Sequence, residues 1–496
     1  MRRSAGIILP ISSLPSPHGI GTLGRAAREF VDFLAAAGQT WWQVLPVGPT
    51  SYGDSPYQSP SAFAGNTYFI DLDTLVADGL LTKDEVESIE WGDDPAHVDY
   101  ALLFEKREGL LRRAYQRGWQ RDEEKVAEFV AENAVWLDDY ALFMSVKRHF
   151  GRTSWLDWPD EDIRLRRPEA IARYAELLAD DVRFNQYMQF LFYGQWEELR
   201  EYAHEHGVRI MGDLPIYVAL DSADVWASPD MFQLDEKNVP VEVAGVPPDS
   251  FTAEGQLWGN PLYDYDAMEA DGFGWWIRRI GGAARLYDAI RIDHFRGFES
   301  YWAVPFGEKT AKVGRWVKGP GMKLVGTLTD WFPNLVFVAE DLGYATPEVA
   351  KLLADSGFPG MKVLEFAFDS RDAGGSAYLP HNHTAHCVCY VGTHDNATIM
   401  QWRDEADPAD VRLAERYLGL SDEEGFSWGF IRGGMGSVAE LFVAQMQDYL
   451  GLGPEARINT PGTLGGNWQW RLEPGRITPA LAKRIATMTK MFGRSA

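Results

Sequence analysis

The sequence predicts an α/β protein built on a parallel sheet, and three observations support this class. Short apolar runs recur along the chain without the polar alternation of a strand that has one exposed face. Such runs are typical of strands buried on both faces. Segments with helical spacing of apolar residues lie between several of the runs, as in βαβ units. The runs are residues 6–9, 41–45, 208–211, 289–292, 335–339, 363–366 and 387–391.

Local signals place two of the intervening helices. In residues 23–38, apolar side chains recur every three or four positions and a glycine ends the pattern. A second helix begins after Thr346, which can cap it, with Pro347 at its first position and Gly357 at its end. An open doubly wound sheet and a closed barrel both fit this pattern. No GxGxxG follows the first strand and no GxxxxGK[ST] occurs, which weakens the nucleotide-binding versions of the open sheet.

Two long insertions interrupt the alternation of strands and helices. Residues from about 75 to 199 are rich in charged residues and helix formers, and we expect a helical subdomain there. Residues from about 220 to 288 are rich in proline, glycine and aromatic residues, and we expect a loop-rich subdomain. Within it, residues 246–261 contain three prolines and two glycines. We expect this segment to be an active-site lid, although an ordinary surface loop has the same composition.

Composition excludes several functional classes. The 47 basic and 72 acidic residues give a net charge of -25, which repels phosphate backbones and argues against nucleic acid and anionic membranes as partners. No apolar stretch is long enough to span a membrane, and Pro10 interrupts the short apolar run at the N-terminus. Two cysteines cannot build a disulfide framework, so we expect a cytoplasmic protein.

One segment combines histidines with both cysteines and suggests a metal site at first sight. Residues 381–394 read HNHTAHCVCYVGTH. The spacing fits no standard zinc motif, and Cys387 and Cys389 lie in a run that reads as a buried strand. We therefore expect neither a metal nor a cofactor.

Three of the predicted strands end in carboxylates. Asp293 follows the run in AIRIDHF, Glu340 and Asp341 follow the run in LVFVAEDLG, and Asp395 follows the run in CVCYVGTHDN. At the C-terminal face of a parallel barrel, residues after different strands converge on one site. A single carboxylate at a strand end is more often a helix cap or an ion-pair partner, but three together indicate a functional site.

Convergent carboxylates are the groups that cleavage of a glycosidic bond requires. One must be ionised, and Arg291, two residues before Asp293, is expected to favour that state. Another must hold a proton, and the five apolar residues before Glu340 predict a buried carboxyl with a raised pKa. This difference in environment predicts which carboxyl is the nucleophile and which is the acid.

The motifs around these residues resemble those of the amylomaltase family (glycoside hydrolase family 77), which is related to the α-amylase superfamily. The segments that carry the resemblance run from the first strand nearly to the C-terminus. It implies one catalytic (β/α)8 TIM barrel over residues 1–496, with insertions and no C-terminal β-sandwich. The segments are SYGDSPYQSPSAFAGN at 51–66, GDLPIYV at 212–218, PPDSFTAEGQLWGNP at 247–261, RIDHFRG at 291–297, AEDLG at 339–343, THDN at 393–396 and PGTLGGNWQWR at 461–471.

The resemblance also implies roles for individual residues. Asp293 is expected as the nucleophile, Glu340 as the general acid/base, and Asp395 as the carboxylate that stabilises the distorted sugar. Trp258 and Trp468 are candidates for the sugar-binding groove. The expected substrate-binding residues are Tyr57, Asp213, Asp249, Gln256, Trp258, Arg291, His294, Asp341, His394 and Asn396.

The implied function is 4-α-glucanotransferase activity on α-1,4-glucans and maltooligosaccharides. The carboxylates alone do not distinguish transfer from hydrolysis, so a retaining α-glucan hydrolase remains the alternative. A glucan-binding protein without catalysis would need aromatic residues but no pair of acid and nucleophile. The sequence does not predict the oligomeric state.

Overall fold

The computed structural model describes residues 3–51, 53–248, 252–343, 346–372 and 374–495. Its strands form one parallel and one antiparallel sheet. The strands are β1 (Ser4–Ile8), β2 (Trp41–Gln43), β3 (Arg209–Leu214), β4 (Glu242–Val246), β5 (Gln256–Pro261), β6 (Ala289–Ile292), β7 (Ser300–Pro305), β8 (Arg315–Lys318), β9 (Val336–Ala339), β10 (Gly360–Val363), β11 (Cys387–Tyr390) and β12 (Leu441–Gln445).

The parallel sheet closes into a barrel. Its eight strands lie in the order β10-β11-β12-β1-β2-β3-β6-β9. The two outer strands meet, because the backbone N–H of Ala339 donates to the carbonyl of Pro359 at 3.0 Å. The predicted TIM barrel is therefore confirmed, and the open doubly wound sheet is excluded.

Both faces of the barrel strands are buried, as their continuous apolar sequences predict. Alternate residues such as Trp41, Met211 and Val338 pack together inside the barrel. Their neighbours Trp42 and Ile210 belong to the larger core outside the sheet. Because the side chains on both faces of each strand are buried, these strands show no alternation of apolar and polar residues.

Two strands differ from the sequence prediction. The predicted run 363–366 contains only the last residue of β10, because Leu364–Phe366 forms a turn of 3-10 helix. Strand β12 was not among the predicted runs. Its sequence LFVAQ is flanked by helices, and periodicity alone does not distinguish a short buried strand from a helical segment.

The helices surround the barrel and fill the insertions. Their bounds are α1 (Arg25–Ala36), α2 (Leu72–Ala77), α3 (Lys83–Glu87), α4 (Tyr100–Glu132), α5 (Leu137–His149), α6 (Glu161–Arg164), α7 (Pro168–Leu177), α8 (Ala179–Glu205), α9 (Ala223–Ala227), α10 (Tyr265–Ala270), α11 (Gly274–Leu286), α12 (Met322–Trp331), α13 (Pro347–Ser356), α14 (Ile399–Glu405), α15 (Pro408–Leu418), α16 (Phe426–Gly436), α17 (Met446–Leu450) and α18 (Pro479–Met491).

The two helices predicted from local signals are confirmed. Helix α1 ends just before Gly38, whose φ of 68° is left-handed. At the start of α13, the side chain of Thr346 accepts the N–H of Val349, and Pro347 is the first helical residue. Gly357 ends α13 with a φ of 68°, a conformation that glycine adopts without steric cost.

The two predicted insertions differ in content. Residues 75–199 hold helices α3 to α7, including the 33-residue α4, and most of the 27-residue α8, which ends at Glu205. Residues 220–288 hold α9 to α11 and the hairpin of β4 and β5, which joins β7 and β8 in an antiparallel sheet of order β5-β4-β7-β8. Residues 249–251 of the predicted lid, Asp249 included, lie outside the described residues. Across the described chain, we find no helix with the length and apolarity that a membrane crossing demands.

Candidate active site

Two of the predicted catalytic carboxylates lie side by side at the end of the barrel. Asp293 directly follows β6 and Glu340 directly follows β9, and these parallel strands pair with Ile292 opposite Ala339. The ladder continues past them, since the N–H of Glu340 donates to the carbonyl of Ile292 at 3.0 Å. Neighbouring strands are about 4.8 Å apart. Asp293 and Glu340 are therefore neighbours on adjacent strands, and the charge of Asp293 acts on the Glu340 carboxyl.

Arg291 connects the neighbouring strand β3 to the carboxylate of Asp293. Its Nη1 donates to both carboxylate oxygens of Asp213, at 2.8 and 2.7 Å, and to Oδ1 of Asp293 at 3.0 Å. The Asp213 side chain is fully buried, whereas that of Asp293 is 30% exposed. Asp293 is therefore the member of this group that a substrate can reach, and Asp213 acts on the site through Arg291.

Backbone amides hold the carboxylate of Glu340. The N–H of His294 donates to Oε2 at 2.8 Å, and the N–H of Leu342 donates to Oε1 at 2.7 Å. His294 has a left-handed φ of 53° at the turn after β6. A left-handed non-glycine residue costs free energy, and such residues occur preferentially at functional sites.

The two carboxyls have different pKa values. Burial and the charge of Asp293 raise the pKa of Glu340 to about 8, against the opposing effect of Arg291 and the two amides. Burial also raises the pKa of Asp293, to about 6, because it outweighs the lowering effect of Arg291. The sequence predicted the effect of Arg291 but not the larger effect of burial. Asp293 nevertheless ionises before Glu340, which is the order that a nucleophile and an acid require.

Asp395 lies in a turn after β11. Its Oδ1 accepts the side-chain amide of Asn459 at 2.7 Å and lies 3.4 Å from Nε2 of His394. The side-chain oxygen of Asn396 accepts the N–H and the hydroxyl of Thr393, at 2.9 and 2.8 Å. Asn396 thereby fixes the turn, and Asn459 fixes the carboxylate of Asp395.

An aromatic wall lies beside these groups. The rings of Tyr57 and His394 stack with their centroids 5.2 Å apart, and Trp468 lies 5.6 Å from Tyr57. The Tyr57 hydroxyl donates to Oδ2 of Asp213 at 2.9 Å and lies 2.8 Å from Nε2 of His394. Such a wall can bind the C–H face of a sugar ring.

Strand β5 brings two further candidates close to the site. Trp258 packs edge-on against His294, with ring centroids 4.8 Å apart, and its indole N–H donates to the side chain of Gln256 at 3.1 Å. Burial lowers the pKa of His294 to about 3, so its imidazole is neutral at physiological pH. Trp258 of β5 is therefore in direct contact with the first turn after β6.

The last candidate, Asp341, lies between two strands. Its Oδ1 accepts the backbone N–H of Met361, the second residue of β10, at 2.7 Å. The predicted site residues of the described chain thus lie around the C-terminal end of the barrel. Within that part of the chain, no group of three or more histidine, cysteine or acidic side chains has an arrangement that could hold a metal ion.

Comparison with known proteins agrees with this geometry. A family model described as 4-alpha-glucanotransferase matches residues 9–478. The chain is 48% identical to the 4-alpha-glucanotransferase of Clostridium butyricum, and the match covers 98% of this chain and 99% of that protein. The chain belongs to the 4-alpha-glucanotransferase family. It is therefore an enzyme of that family, and the resemblance drawn from its motifs is confirmed.

Two other 4-alpha-glucanotransferase relatives support the same conclusion. The protein of Thermus thermophilus is 47% identical, with 99% of each chain covered. The solved structure of the amylomaltase from Streptococcus agalactiae in complex with acarbose is 41% identical, covers 100% of both chains and has a TM-score of 0.97.

One contact in this 4-alpha-glucanotransferase site was not predicted from the sequence. Asn459 precedes the PGTLGGNWQWR motif and binds Asp395, 64 positions earlier in the chain. Its proximity to that motif was the one available clue. Trp468 belongs to the same motif and is a sequence-based candidate for the sugar-binding groove. Its ring lies in the aromatic wall, beside His394.

Proposed function

We propose that this protein transfers α-1,4-glucan segments between maltooligosaccharides or longer glucans by a retaining double displacement. The observation that carries the proposal is the pairing of Asp293 and Glu340 across β6 and β9, with Arg291 beside Asp293 and backbone amides on Glu340. The similar amylomaltase from Streptococcus agalactiae binds acarbose, which supports an α-glucan ligand in this groove.

In the first step, a carboxylate oxygen of Asp293 attacks the anomeric carbon and the bond from that carbon to the bridging 4-oxygen breaks. Glu340 gives its proton to the departing oxygen, which leaves as a 4-hydroxyl. The product is a glycosyl ester on Asp293. In the second step, Glu340 takes the proton of an incoming 4-hydroxyl, whose oxygen displaces Asp293 and restores the α-linkage.

The surrounding residues support these steps in different ways. The 42% exposure of the Asp395 side chain supports a role for this carboxylate in accepting hydrogen bonds from sugar hydroxyls. Tyr57 and Trp468 provide ring surfaces for the donor sugar. Asp213 holds Arg291 and Tyr57 in place through its two carboxylate oxygens.

The acceptor side decides between transfer and hydrolysis, since water could replace the incoming 4-hydroxyl. We propose that residues 246–261 form a lid that admits a sugar and excludes bulk water, with Gln256 and Trp258 on its binding surface. A lid of this kind favours transfer because it lowers the local concentration of water.

The decisive experiment incubates the purified protein with maltotriose alone and follows the products over time. Glucose together with maltooligosaccharides longer than maltotriose, absent with Asp293→Asn, is the expected result. Glucose and maltose without longer products would indicate the hydrolase alternative and contradict the lid. Undiminished activity of Asp293→Asn would contradict the assignment of the nucleophile.

We also propose that the enzyme works in the cytoplasm. Cys387 and Cys389 are both buried free thiols, which agrees with a reducing compartment. Detection of the protein in the soluble fraction of lysed cells and its absence from the medium would support this location, whereas recovery in the medium would contradict it.

A further inference from the structure

The barrel contains a seam between β9 and β10, where the described residues form no strand ladder. These two strands are the ends of the eight-stranded order, and β9 pairs with β6 while β10 pairs with β11. A backbone hydrogen bond from Ala339 to Pro359 joins the strands at one point. Asp341 joins them at a second point, where its carboxylate accepts the N–H of Met361 at 2.7 Å.

The sequence of β10 leaves room for this side-chain bridge. A Cβ atom on Gly360 would lie 2.8 Å from both carboxylate oxygens of Asp341, closer than such atoms approach in proteins. The glycine therefore allows the Asp341 carboxylate to take the position that a backbone carbonyl would occupy in a regular ladder. The bridge fixes the backbone of Met361 relative to the end of β9.

Met361 lies at the seam, and its side chain contacts Arg291, which binds Asp293. Its side chain is fully buried in the barrel interior, and its sulfur accepts the Nε–H of Arg291 at 3.3 Å. Thioether sulfur is a weak acceptor, but a buried guanidinium donor without any acceptor is costly. The Nη1 of the same guanidinium binds Asp213 and Asp293. Met361 therefore holds one edge of the Arg291 guanidinium while two carboxylates hold Nη1.

We propose that Asp341 and Met361 are positioning residues, which act on Asp293 by fixing the guanidinium of Arg291. The Asp341 carboxylate binds the backbone of Met361, the Met361 sulfur binds Arg291, and Arg291 binds Asp293. In this scheme Asp341 binds the backbone of β10 at the seam and does not contact the sugar. The proposal rests on the proposed role of Asp293 as the nucleophile.

Three variants test the chain of contacts. Met361→Leu keeps an apolar side chain of similar volume and removes the sulfur acceptor. Asp341→Ala removes the bridge, and Asp341→Asn keeps a side-chain oxygen that can accept the N–H of Met361. Met211→Leu is the matched control, because Met211 is a fully buried methionine of the same interior cluster and its sulfur is not a partner of Arg291.

The measurement is kcat and KM for maltotriose transfer as a function of pH, with the thermal midpoint of each variant. We expect Met361→Leu and Asp341→Ala to lower kcat by about tenfold or more, since small displacements of reacting groups are costly. A less constrained Arg291 favours the ionised form of Asp293 less, so the acidic limb of kcat/KM should move to higher pH by about half a unit or more. KM should change by less than about twofold, since ground-state binding is kept.

Asp341→Asn and Met211→Leu should retain the wild-type pH profile. If the seam had a purely structural role, kcat/KM would fall by the same factor at every pH and the acidic limb would not move. This result in well-folded Met361→Leu and Asp341→Ala would overturn the proposal. Equal damage from Asp341→Asn and Asp341→Ala would also overturn it. A wild-type protein without transferase activity, or an active Asp293→Asn variant, would instead contradict the proposed function itself.

Discussion

Asp448 accepts the backbone N–H of Ile399 through Oδ1 at 2.9 Å, and both residues are buried. Ile399 is the first residue of α14, which begins three residues after the turn that carries Asp395. The second oxygen of Asp448, Oδ2, has no hydrogen-bond partner within the described residues. Burial favours the neutral form of such a carboxyl, so its ionisation connects protein stability to pH.

We predict that Asp448→Asn stabilises the protein selectively at alkaline pH. Burial raises the pKa of Asp448 to about 7, above its ordinary value of 3.8, so the folded state binds more protons than the unfolded state between these values. The stability contributed by this group is therefore present at acidic pH and lost as the pH rises through 7. Asparagine keeps the oxygen for Ile399 and does not ionise. The difference in Tm between variant and wild type should grow in favour of the variant from pH 5 to pH 8.

Asp448→Ala is the control for that measurement. It removes the charge together with the acceptor for the Ile399 N–H, so its Tm should fall below that of Asp448→Asn at every pH. A Tm difference for Asp448→Asn that does not change with pH would show that Asp448 titrates normally.

The wild-type pH profile should be bell-shaped. Asp293 must be ionised to attack, so kcat/KM should rise as the pH increases through about 6. Glu340 must be protonated to assist the leaving group, so kcat/KM should fall as the pH increases through about 8. Initial rates of glucose release from maltotriose between pH 4 and pH 10 check both limbs. A profile that stays flat up to pH 10 would contradict the role of Glu340 as the acid.

Tyr57 provides a test of the hydrogen bonds beneath the aromatic wall. Tyr57→Phe keeps the ring surface but removes the hydroxyl that binds Asp213 and His394. Asp213 keeps its hydrogen bonds from Arg291, so the change removes one of its partners together with the hydroxyl beside His394. Loss of a hydrogen bond between buried groups costs about 1–3 kcal/mol. We expect kcat/KM for maltotriose to fall about tenfold, which corresponds to the lower part of that range.

Tyr57→Ala removes the ring as well as the hydroxyl. If the ring supports the donor sugar, this variant should also raise KM, whereas Tyr57→Phe should leave KM nearly unchanged. Identical KM values for the two variants would exclude a stacking role for the ring.

Trp258→Ala should raise the ratio of hydrolysis to transfer. Trp258 packs against His294, and if residues 246–261 form the proposed lid, loss of its ring opens the acceptor side to water. The ratio is measured from the reducing ends formed and the longer maltooligosaccharides formed with maltotriose as the substrate. Trp316→Ala is the matched control, because Trp316 is an exposed tryptophan on the edge strand β8 of the same small sheet. Equal ratios in the two variants would count against the lid.

The sequence predicted the candidate catalytic carboxylates because each of them follows an apolar run that forms a barrel strand. Asp293, Glu340 and Asp395 each end an apolar run, and parallel strands bring such ends together whatever their separation in sequence. Strand β12 was missed because its five residues carry no signal that separates a buried strand from a helix. The contacts of Asn459 with Asp395 and of Met361 with Arg291 join distant positions, and no local pattern encodes them.

The barrel order also bears on how the chain folds during its synthesis. Strand β1 lies between β2 and β12, and its partner Leu441 for Ser4 is made more than four hundred residues later. Until then, one edge of β1 has no neighbouring strand, and exposed strand edges promote aggregation. Such long-range pairing slows folding, because a very large loop must close before the contact forms. The first strand of the barrel therefore has only one of its two neighbours until the last strand has been synthesised.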